Sequence, residues 1–317
     1  MSPRLALESP VFLFYLAASI SLLTLGGIVL GVLKWCFHKE VDQAWRAYCG
    51  WLIIVPILLA VFFLGRTAAI SFITIVSIIV FNEFARAARV TDDWIVTGIV
   101  DLSIIATGAF AWMSDSANIA ANWYTAFLTL PVFAIVAIVA VPIVRNRARG
   151  QLQLVALATF GFMYFGWMLC HLSFLANSGH AYSYLGFLIF AVELNDVAAY
   201  VCGRCLGRHQ LCSDISPKKN WEGALGALAV SCTLPWVLTF TFPHFDSVDC
   251  VGIGLIIGIG APLGDLVVSM SKRDLGIKDM GKILIGHGGI LDRIDSLIFV
   301  APLYFHFLRI RHGTPLP

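Results

Sequence analysis

Residues 11–35 read VFLFYLAASISLLTLGGIVLGVLKW and carry one charge, that of Lys34. A helix that spans a bilayer needs about 20 mostly apolar residues, and this run exceeds that length. It is also longer than the apolar core of a secretory signal, about 7–15 residues, and it lacks a convincing small-residue cleavage site. We therefore expect a first transmembrane helix here and not a cleaved signal peptide.

The whole chain has the composition of a membrane protein. Of its 317 residues, 59% are apolar and 13% are charged, and the mean hydropathy is +0.86. A soluble domain carries about 25% charged residues, so this chain has too few polar side chains to cover a soluble globule. Composition excludes a soluble enzyme, a disordered linker and a fibrous repeat. It predicts an all-α, polytopic integral membrane protein.

Further apolar segments follow the first one at short intervals. The second and third are short and are also compatible with a tight hairpin, so we expect about eight to ten transmembrane helices. Neither an internal repeat nor a low-complexity linker divides the chain. The candidate spans are 11–36, 51–65, 67–82, 94–113, 122–144, 152–176, 182–203, 223–242, 251–271 and 294–310.

Basic and non-basic loops alternate along the chain. Lysines and arginines follow the third, fifth, seventh and ninth spans, whereas loops 114–121, 177–181 and 243–250 contain none. The positive-inside rule places the basic loops in the cytoplasm. Arg309 and Arg311 lie on the wrong side of this scheme, which indicates either a tolerated exception or a miscounted span.

The eight cysteines are scattered, mostly in or beside apolar segments, and they indicate no disulfide framework. One group, Cys202-x2-Cys205-x3-His209-x2-Cys212, has zinc-ligand types at plausible spacing. Its last gap is unlike that of common zinc fingers, and it lies where a helix runs into a lysine-containing loop. We favour free cytosolic thiols and keep a structural zinc as the alternative.

Polar residues gather in three clusters on the predicted cytoplasmic side. The first ends span seven, where Glu193, Asp196 and Tyr200 share a helix face. The second is ISPKKNWEG, residues 215–223, in which Ser-Pro marks a turn and two lysines suit phosphate. Alone, the first is compatible with polar groups at a helix end, and the second with ordinary lysines beside a membrane.

The third cluster is the densest and joins the end of span nine to the start of span ten. Asp265, Ser269 and Lys272 are spaced i, i+4, i+7, which places them on one helix face. Asp265 lies several residues inside its span, where an unpaired carboxylate is costly. Asp292 and Asp295 likewise face together at the start of span ten.

This set of residues suits phosphate chemistry. Mg²⁺ typically takes one or two carboxylates with substrate phosphates and water, and lysine and arginine bind phosphate oxygens. Gly286, Gly288 and Gly289 would let backbone N–H groups approach a phosphate. Such groups favour phosphoryl or nucleotidyl transfer, in which catalysis is mainly positioning and charge neutralisation. At a membrane face the simplest acceptor is a lipid.

Residues 269–295 have the pattern S-x-x-K-R-x4-K-D-x-G-x2-L-x-x-H-G-G-x-x-D-R-x-D. This pattern resembles the signature of CTP:phosphatidate cytidylyltransferases, the CDP-diacylglycerol synthases. Residues 216–223, 196–203 and 264–266 resemble that family's S-P-x-K-T-x-E-G, D-x-x-A-Y-x-x-G and G-D-L segments, so the resemblance covers roughly residues 150–310. Its departures indicate a divergent branch but remove no charged group; they are Ser271, Ile285 and Asn220.

The resemblance implies conversion of CTP and phosphatidate to CDP-diacylglycerol and pyrophosphate in phospholipid biosynthesis. It implies Mg²⁺ at Asp265 and Asp292, and leaves open whether a monovalent cation joins it. A phosphate monoester is largely ionised at pH 7, so we expect His287 to orient a phosphate and not to act as an obligatory base. The catalytic candidates are Lys219, Lys272, Arg273, Lys278, Asp279, His287 and Arg293. The substrate-binding candidates are Ser216, Lys218, Asp196, Ser269, Gly288, Gly289 and Asp295.

The expected partners are CTP, phosphatidate or a related phosphorylated lipid, and membrane lipids. We expect no nucleic acid partner, and a homodimer is left open. Residues 1–115 are predicted to be N-terminal transmembrane helices whose role beyond anchoring is open, and residues 116–317 to be the catalytic transmembrane domain. The short chain favours a bacterial inner membrane, with the site facing the cytoplasm.

Two other functions fit part of the pattern. A CTP-dependent lipid kinase of the polyprenol type would share the topology but would transfer the γ-phosphoryl group to an alcohol. The long His-Gly-Gly-x-x-Asp-Arg-x-Asp stretch favours the cytidylyltransferase. A transporter would be expected to carry its ionisable groups near mid-bilayer, often with repeat symmetry, whereas here they cluster at one face.

Overall fold

A computed structural model describes residues 1–37, 42–114, 123–281 and 289–313, and this part of the chain is almost entirely helical. A π-helix, Phe162–Met168, connects α7 to α8, and β1 (Gln210–Cys212) pairs with β2 (Ser216–Asn220) in an antiparallel hairpin. The α-helices are α1 Pro3–Glu8, α2 Pro10–Trp35, α3 Asp42–Leu64, α4 Arg66–Ala87, α5 Trp94–Met113, α6 Trp123–Val144, α7 Gln151–Gly161, α8 His171–Leu175, α9 Ala181–Leu206, α10 Trp221–Val237, α11 Ser247–Asp274 and α12 Leu291–His312.

The predicted all-α membrane fold is confirmed. Within the described ranges, eight helices are long and apolar enough to cross a membrane, counting α7 to α8 as one. The other two predicted spans are also helical: α10 has 17 residues, and α12 has 22. Gly65 alone separates α3 from α4, with a φ of 103° that favours glycine. The two helices have 23 and 22 residues, so they are longer than the predicted segments and each is long enough to cross a membrane.

Helices α9 to α12 alternate in direction, so the chain ends of four helices meet at each end of the C-terminal half. At one end, α9 and α11 finish while α10 and α12 begin. Asn220 connects two of these ends, because its side chain caps α10 at Gly223 N (2.8 Å) and donates to Gly203 O (2.9 Å) at the end of α9. Deeper between the same helices, Asn195 donates to Ser231 at 2.8 Å.

The two arginines on the wrong side of the charge pattern both have partners at the opposite end of the bundle. Arg311 Nε lies 2.8 Å from Asp249 Oδ1, and Arg311 also pairs with Asp246 at the start of α11. The Arg309 guanidinium lies 3.2 Å from the centroid of the Tyr124 ring, a cation–π contact. Both arginines thus lie at the end of the bundle opposite to Lys219 and Lys272.

A histidine cluster occupies this same end, in the connection between α10 and α11. His244 stacks on His180 with ring centroids 4.4 Å apart, and its Nε2 lies 2.8 Å from the Tyr184 hydroxyl. Burial, with His180 and His312 nearby, lowers the pKa of His244 from 6.5 to about 4, against the opposing effect of Asp249. The folded protein thus favours the neutral imidazole.

Acidification should therefore destabilise the protein through His244. The pKa of His244 is lower in the folded protein than in the unfolded chain. Its contribution to the free energy of unfolding is therefore complete above about pH 6.5 and is lost as the pH falls towards about 4. We expect the melting temperature in detergent to fall by several degrees between about pH 7.5 and about pH 5, and to fall less in a His244→Gln variant. Equal pH slopes for the two proteins would contradict this assignment.

Candidate active site

The lysines of the second cluster lie on a β-strand, where the sequence indicated only a turn. Successive residues of a strand point to opposite faces, so the side chains of Lys218 and Lys219 point in different directions. Lys219 Nζ lies 2.6 Å from Asp265 Oδ2 and donates to Pro262 O at 3.3 Å, whereas Lys218 is exposed. The hairpin thus directs Lys219, and not Lys218, onto α11.

The predicted common face of α11 is confirmed for its first pair. Ser269 Oγ donates to Asp265 Oδ1 at 3.1 Å, one helical turn away. Further along α11, Lys272 Nζ lies 2.8 Å from Asp292 Oδ1, and Gly289 N donates to Asp292 Oδ2 at 3.1 Å. Lys272 therefore joins the end of α11 to the start of α12, as Lys219 joins β2 to α11.

Close approach of α11 and α12 brings further carboxylates to this place. A Cβ at Gly264 would lie 2.6 Å from Asp295 O, so a larger residue there would push the helices apart. Asp295 is buried and lies within electrostatic range of Asp265 and Asp196. Ser296 Oγ donates to both oxygens of Asp196, at 3.2 and 3.3 Å, which fixes that carboxylate against α12.

In the described ranges, the remaining predicted residues form no ion pair with Asp265 or Asp292. Arg273 Nε donates to Ile215 O at 3.3 Å and so holds the hairpin to α11, and Arg293 lies within electrostatic range of Glu193. Ser216 begins β2 and is half-buried. Lys278 and Asp279 are exposed, and neither makes an ion pair or hydrogen bond to another described residue. His287 and Gly288 lie outside the described residues.

Comparison with known proteins identifies the group to which this architecture belongs. A family model described as "Cytidylyltransferase family" matches residues 45–311. The chain belongs to the cytidylyltransferase family. The match extends far beyond the signature and includes most of α3 and all of α4 to α8.

Individual relatives share the sequence of this chain over shorter stretches. A phosphatidate cytidylyltransferase of Synechocystis sp. is 49% identical over 117 residues, which cover 36% of this chain and 39% of that protein. One of Staphylococcus haemolyticus is 42% identical over 154 residues, 48% of this chain and 55% of that protein. An uncharacterised protein of Escherichia coli, YnbB, is 42% identical over 123 residues, 39% of this chain and 41% of that protein. The chain thus matches about half or less of the length of these relatives.

Two residues that the sequence analysis did not single out also lie at this end of the helix bundle. Glu83 on α4 is 1% exposed and accepts hydrogen bonds from the backbone at the start of α12. Tyr164 lies in the π-helix within electrostatic range of Asp265 and Asp295, and its buried hydroxyl has no hydrogen-bond partner in the described structure. Short π-helical segments between α-helices occur frequently at functional sites.

The zinc alternative gains no support from the placement of its ligands. His209 Nδ1 lies 2.6 Å from Glu222 Oε1, and Cys205 is exposed. Over residues 1–37, 42–114, 123–281 and 289–313, no group of three or more His, Cys, Asp or Glu side chains is placed to hold a metal ion.

The carboxylates nevertheless fit the lighter protein ligation of Mg²⁺, which takes one or two carboxylates and completes its shell with phosphate and water. Asp196, Asp265 and Asp295 lie within electrostatic range of one another, and Lys219 forms an ion pair with only one of them in the described structure. These three carboxylates carry more negative charge than Lys219 balances, and a bound cation would offset it. Asp265 and Asp292 are each held by a different lysine.

Proposed function

We propose that this protein transfers the cytidylyl group of CTP to phosphatidate, giving CDP-diacylglycerol and pyrophosphate. One observation carries the proposal. The pairs Lys219–Asp265 and Lys272–Asp292, contributed by β2, α11 and α12, lie at one end of a membrane helix bundle beside Asp196 and Asp295. Membership of the cytidylyltransferase family supports this reaction over transport.

The reaction requires little proton transfer. A phosphatidate oxygen attacks the α-phosphorus of CTP, a new P–O bond forms, and the bond to the β-phosphate oxygen breaks to release pyrophosphate. Because the second pKa of a phosphate monoester is about 6, the attacking oxygen is already largely ionised at neutral pH. The main requirement is therefore to bring two polyanions together.

The basic residues of this site meet that requirement. Lys219 and Lys272 are held in place by aspartates, so they lose little further side-chain freedom when a phosphate arrives. Arg273 and Arg293 lie on the adjoining turns of α11 and α12. Asp265, with Asp196 and Asp295 in electrostatic range, would hold Mg²⁺, and Asp292 is the second carboxylate that the resemblance implies. The metal would neutralise charge on the phosphate oxygens.

The surroundings of Asp196 support a lipid as the acceptor. Asp196 is exposed on α9, and Val197 and Val201 on the same helix are 56% and 50% exposed. An apolar surface beside a carboxylate cluster lets acyl chains stay in the bilayer while the headgroup reaches the polar residues. By the positive-inside rule, this end of the bundle faces the cytoplasm. The bacterial sources of the relatives support the bacterial inner membrane as its location.

Labelled CTP tests the proposal directly. Membranes that contain the protein should label a lipid from α-³²P-CTP when phosphatidate is supplied, and should release the γ-³²P label as pyrophosphate, because only the α-phosphorus is transferred. Membranes without the protein are the control. Lipid labelled from γ-³²P-CTP would instead indicate a lipid kinase and would overturn the proposal.

A further inference from the structure

A buried carboxylate on α4 contacts the start of α12 more than 200 residues further along the chain. Glu83 is 1% exposed, and its two oxygens accept hydrogen bonds from Ile290 N at 3.1 Å and Leu291 N at 2.9 Å. Within the described residues, no basic side chain forms an ion pair with it. A buried charge is costly unless it is hydrogen-bonded, so these backbone N–H groups stabilise Glu83.

The same contacts satisfy the start of α12. Ile290 is the N-cap residue and Leu291 the first helical residue, and the N-cap side chain makes no capping hydrogen bond. The first N–H groups of a helix have no partner within it, and they carry the positive end of its dipole. Glu83 supplies the missing acceptor and the favourable negative charge from a different helix.

The chain also lies close against the Glu83 carboxylate on both sides of residues 282–288. A Cβ added at Gly281 would collide with Glu83 Oε1, and one added at Gly289 would collide with Oε2. A side chain at either position would therefore have to displace the Glu83 carboxylate. The carboxylate thus limits where the end of one backbone segment and the start of the next can lie.

Asp292 follows directly in the sequence and makes the contact that matters for the site. Its carboxylate binds Lys272 Nζ at 2.8 Å and accepts from Gly289 N at 3.1 Å. The two residues between Gly289 and Asp292 are Ile290 and Leu291, whose backbone N–H groups donate to Glu83. A shift of α12 would therefore move Asp292 relative to Lys272.

We propose that Glu83 is a positioning residue for the transfer reaction, which holds the start of α12 so that Asp292 stays in register with Lys272. The inference rests on the proposed function. It gives the N-terminal helices a role beyond anchoring, because α4 then sets the geometry of residues contributed by the C-terminal half.

The variant Glu83→Gln tests this with little change in size. Its amide nitrogen cannot accept the hydrogen bond that a carboxylate oxygen accepts, so one N–H of α12 loses its partner. We expect kcat to fall about tenfold and the Mg²⁺ concentration for half-maximal rate to rise, as is typical when the support of a metal-binding group is removed. Partial unfolding would lower the rate without changing that concentration.

Hydrogen–deuterium exchange supplies a readout that does not depend on activity. Amides of residues 289–297 should exchange faster in Glu83→Gln, while those of residues 251–262 on α11 should not change. The matched control is Asp101→Asn. Asp101 accepts a 2.8 Å hydrogen bond from Asn82, the neighbour of Glu83 on α4, so this change neutralises a nearby carboxylate away from α12 and should leave both readouts as in the unmodified protein.

A second variant covers the case in which Glu83→Gln does not fold. Ile290→Pro removes one donor to Glu83 and keeps a backbone φ of −63°, which proline adopts, and Ile290→Ala controls for the lost side chain. Ile290→Pro should reproduce the shift in Mg²⁺ dependence. Unchanged exchange at residues 289–297, or unchanged Mg²⁺ dependence, would overturn the positioning role. Absence of lipid labelling by the unmodified protein would instead overturn the proposed function, and the exchange result would still stand.

Discussion

Asp265→Asn should abolish most of the CTP-dependent lipid labelling. Asp265 holds Lys219 at 2.6 Å, accepts from Ser269 and lies within electrostatic range of Asp295 and Asp196, so one substitution disturbs the position of a cation and the charge of the carboxylate cluster. Loss of one preorganised electrostatic group typically lowers kcat by about 10²- to 10³-fold, and we expect the upper end of that range. Initial rates with α-³²P-CTP measure it.

The effect should be chemical and not a loss of fold. Asparagine has nearly the volume of aspartate and can still accept from Ser269, so the melting temperature in detergent should change by at most a few degrees. Asp101→Asn is again the control, since it neutralises a carboxylate on α5 whose hydrogen bond is to Asn82 on α4. Retention of more than about a tenth of the rate would mean that Asp265 is not central to the chemistry.

Composition and hydrophobic runs were sufficient to predict the helices. Ten apolar segments correspond to helices in the structure, because in a bilayer the backbone must satisfy its own hydrogen bonds and length alone then separates spans from loops. The hairpin of β1 and β2 was missed. It is short and polar, and residues 210–220 have no alternation of apolar and polar side chains from which a strand could be predicted.

The site residues on α11 and α12 could be predicted because the cost of a charge in a membrane is visible in sequence. The same argument applies to Glu83, but the third span was predicted to end at residue 82, so Glu83 fell outside it and was not considered as a charge within a span. The helix continues to Ala87. Tyr164 had no comparable signal, because one tyrosine among the aromatic residues of its segment has no distinguishing spacing and a π-helix leaves no clear mark on hydrophobic periodicity.

Spacing along the chain also could not show which acid each lysine would meet. Lys272 is on the same helix as Asp265, and a sequence argument pairs them by their common face. The structure instead pairs Lys272 with Asp292 and gives Asp265 to Lys219 from the hairpin. Contacts between elements that are distant in sequence depend on packing, here on the close approach at Gly264.

Adjacent lysines on β2 should differ sharply in their importance. Lys219→Met keeps an unbranched side chain but removes the charge that Asp265 holds in place. We expect kcat to fall about 10²-fold or more. Lys218→Met removes a charge from an exposed position, where water and salt screen its attraction to phosphate. We expect a loss of less than about tenfold there, mainly as a higher KM for CTP.

Ionic strength separates the two roles further. The effect of Lys218→Met should disappear as salt is raised, because an exposed charge acts over a Debye length of about 8 Å at physiological ionic strength and less above it. The defect of Lys219→Met should persist, since Lys219 Nζ is in direct contact with Asp265 and its side chain is only 25% exposed. Equal losses for the two variants at all salt concentrations would mean that both lysines act by general attraction of CTP to the surface, and the hairpin would then have no part in directing Lys219 into the site.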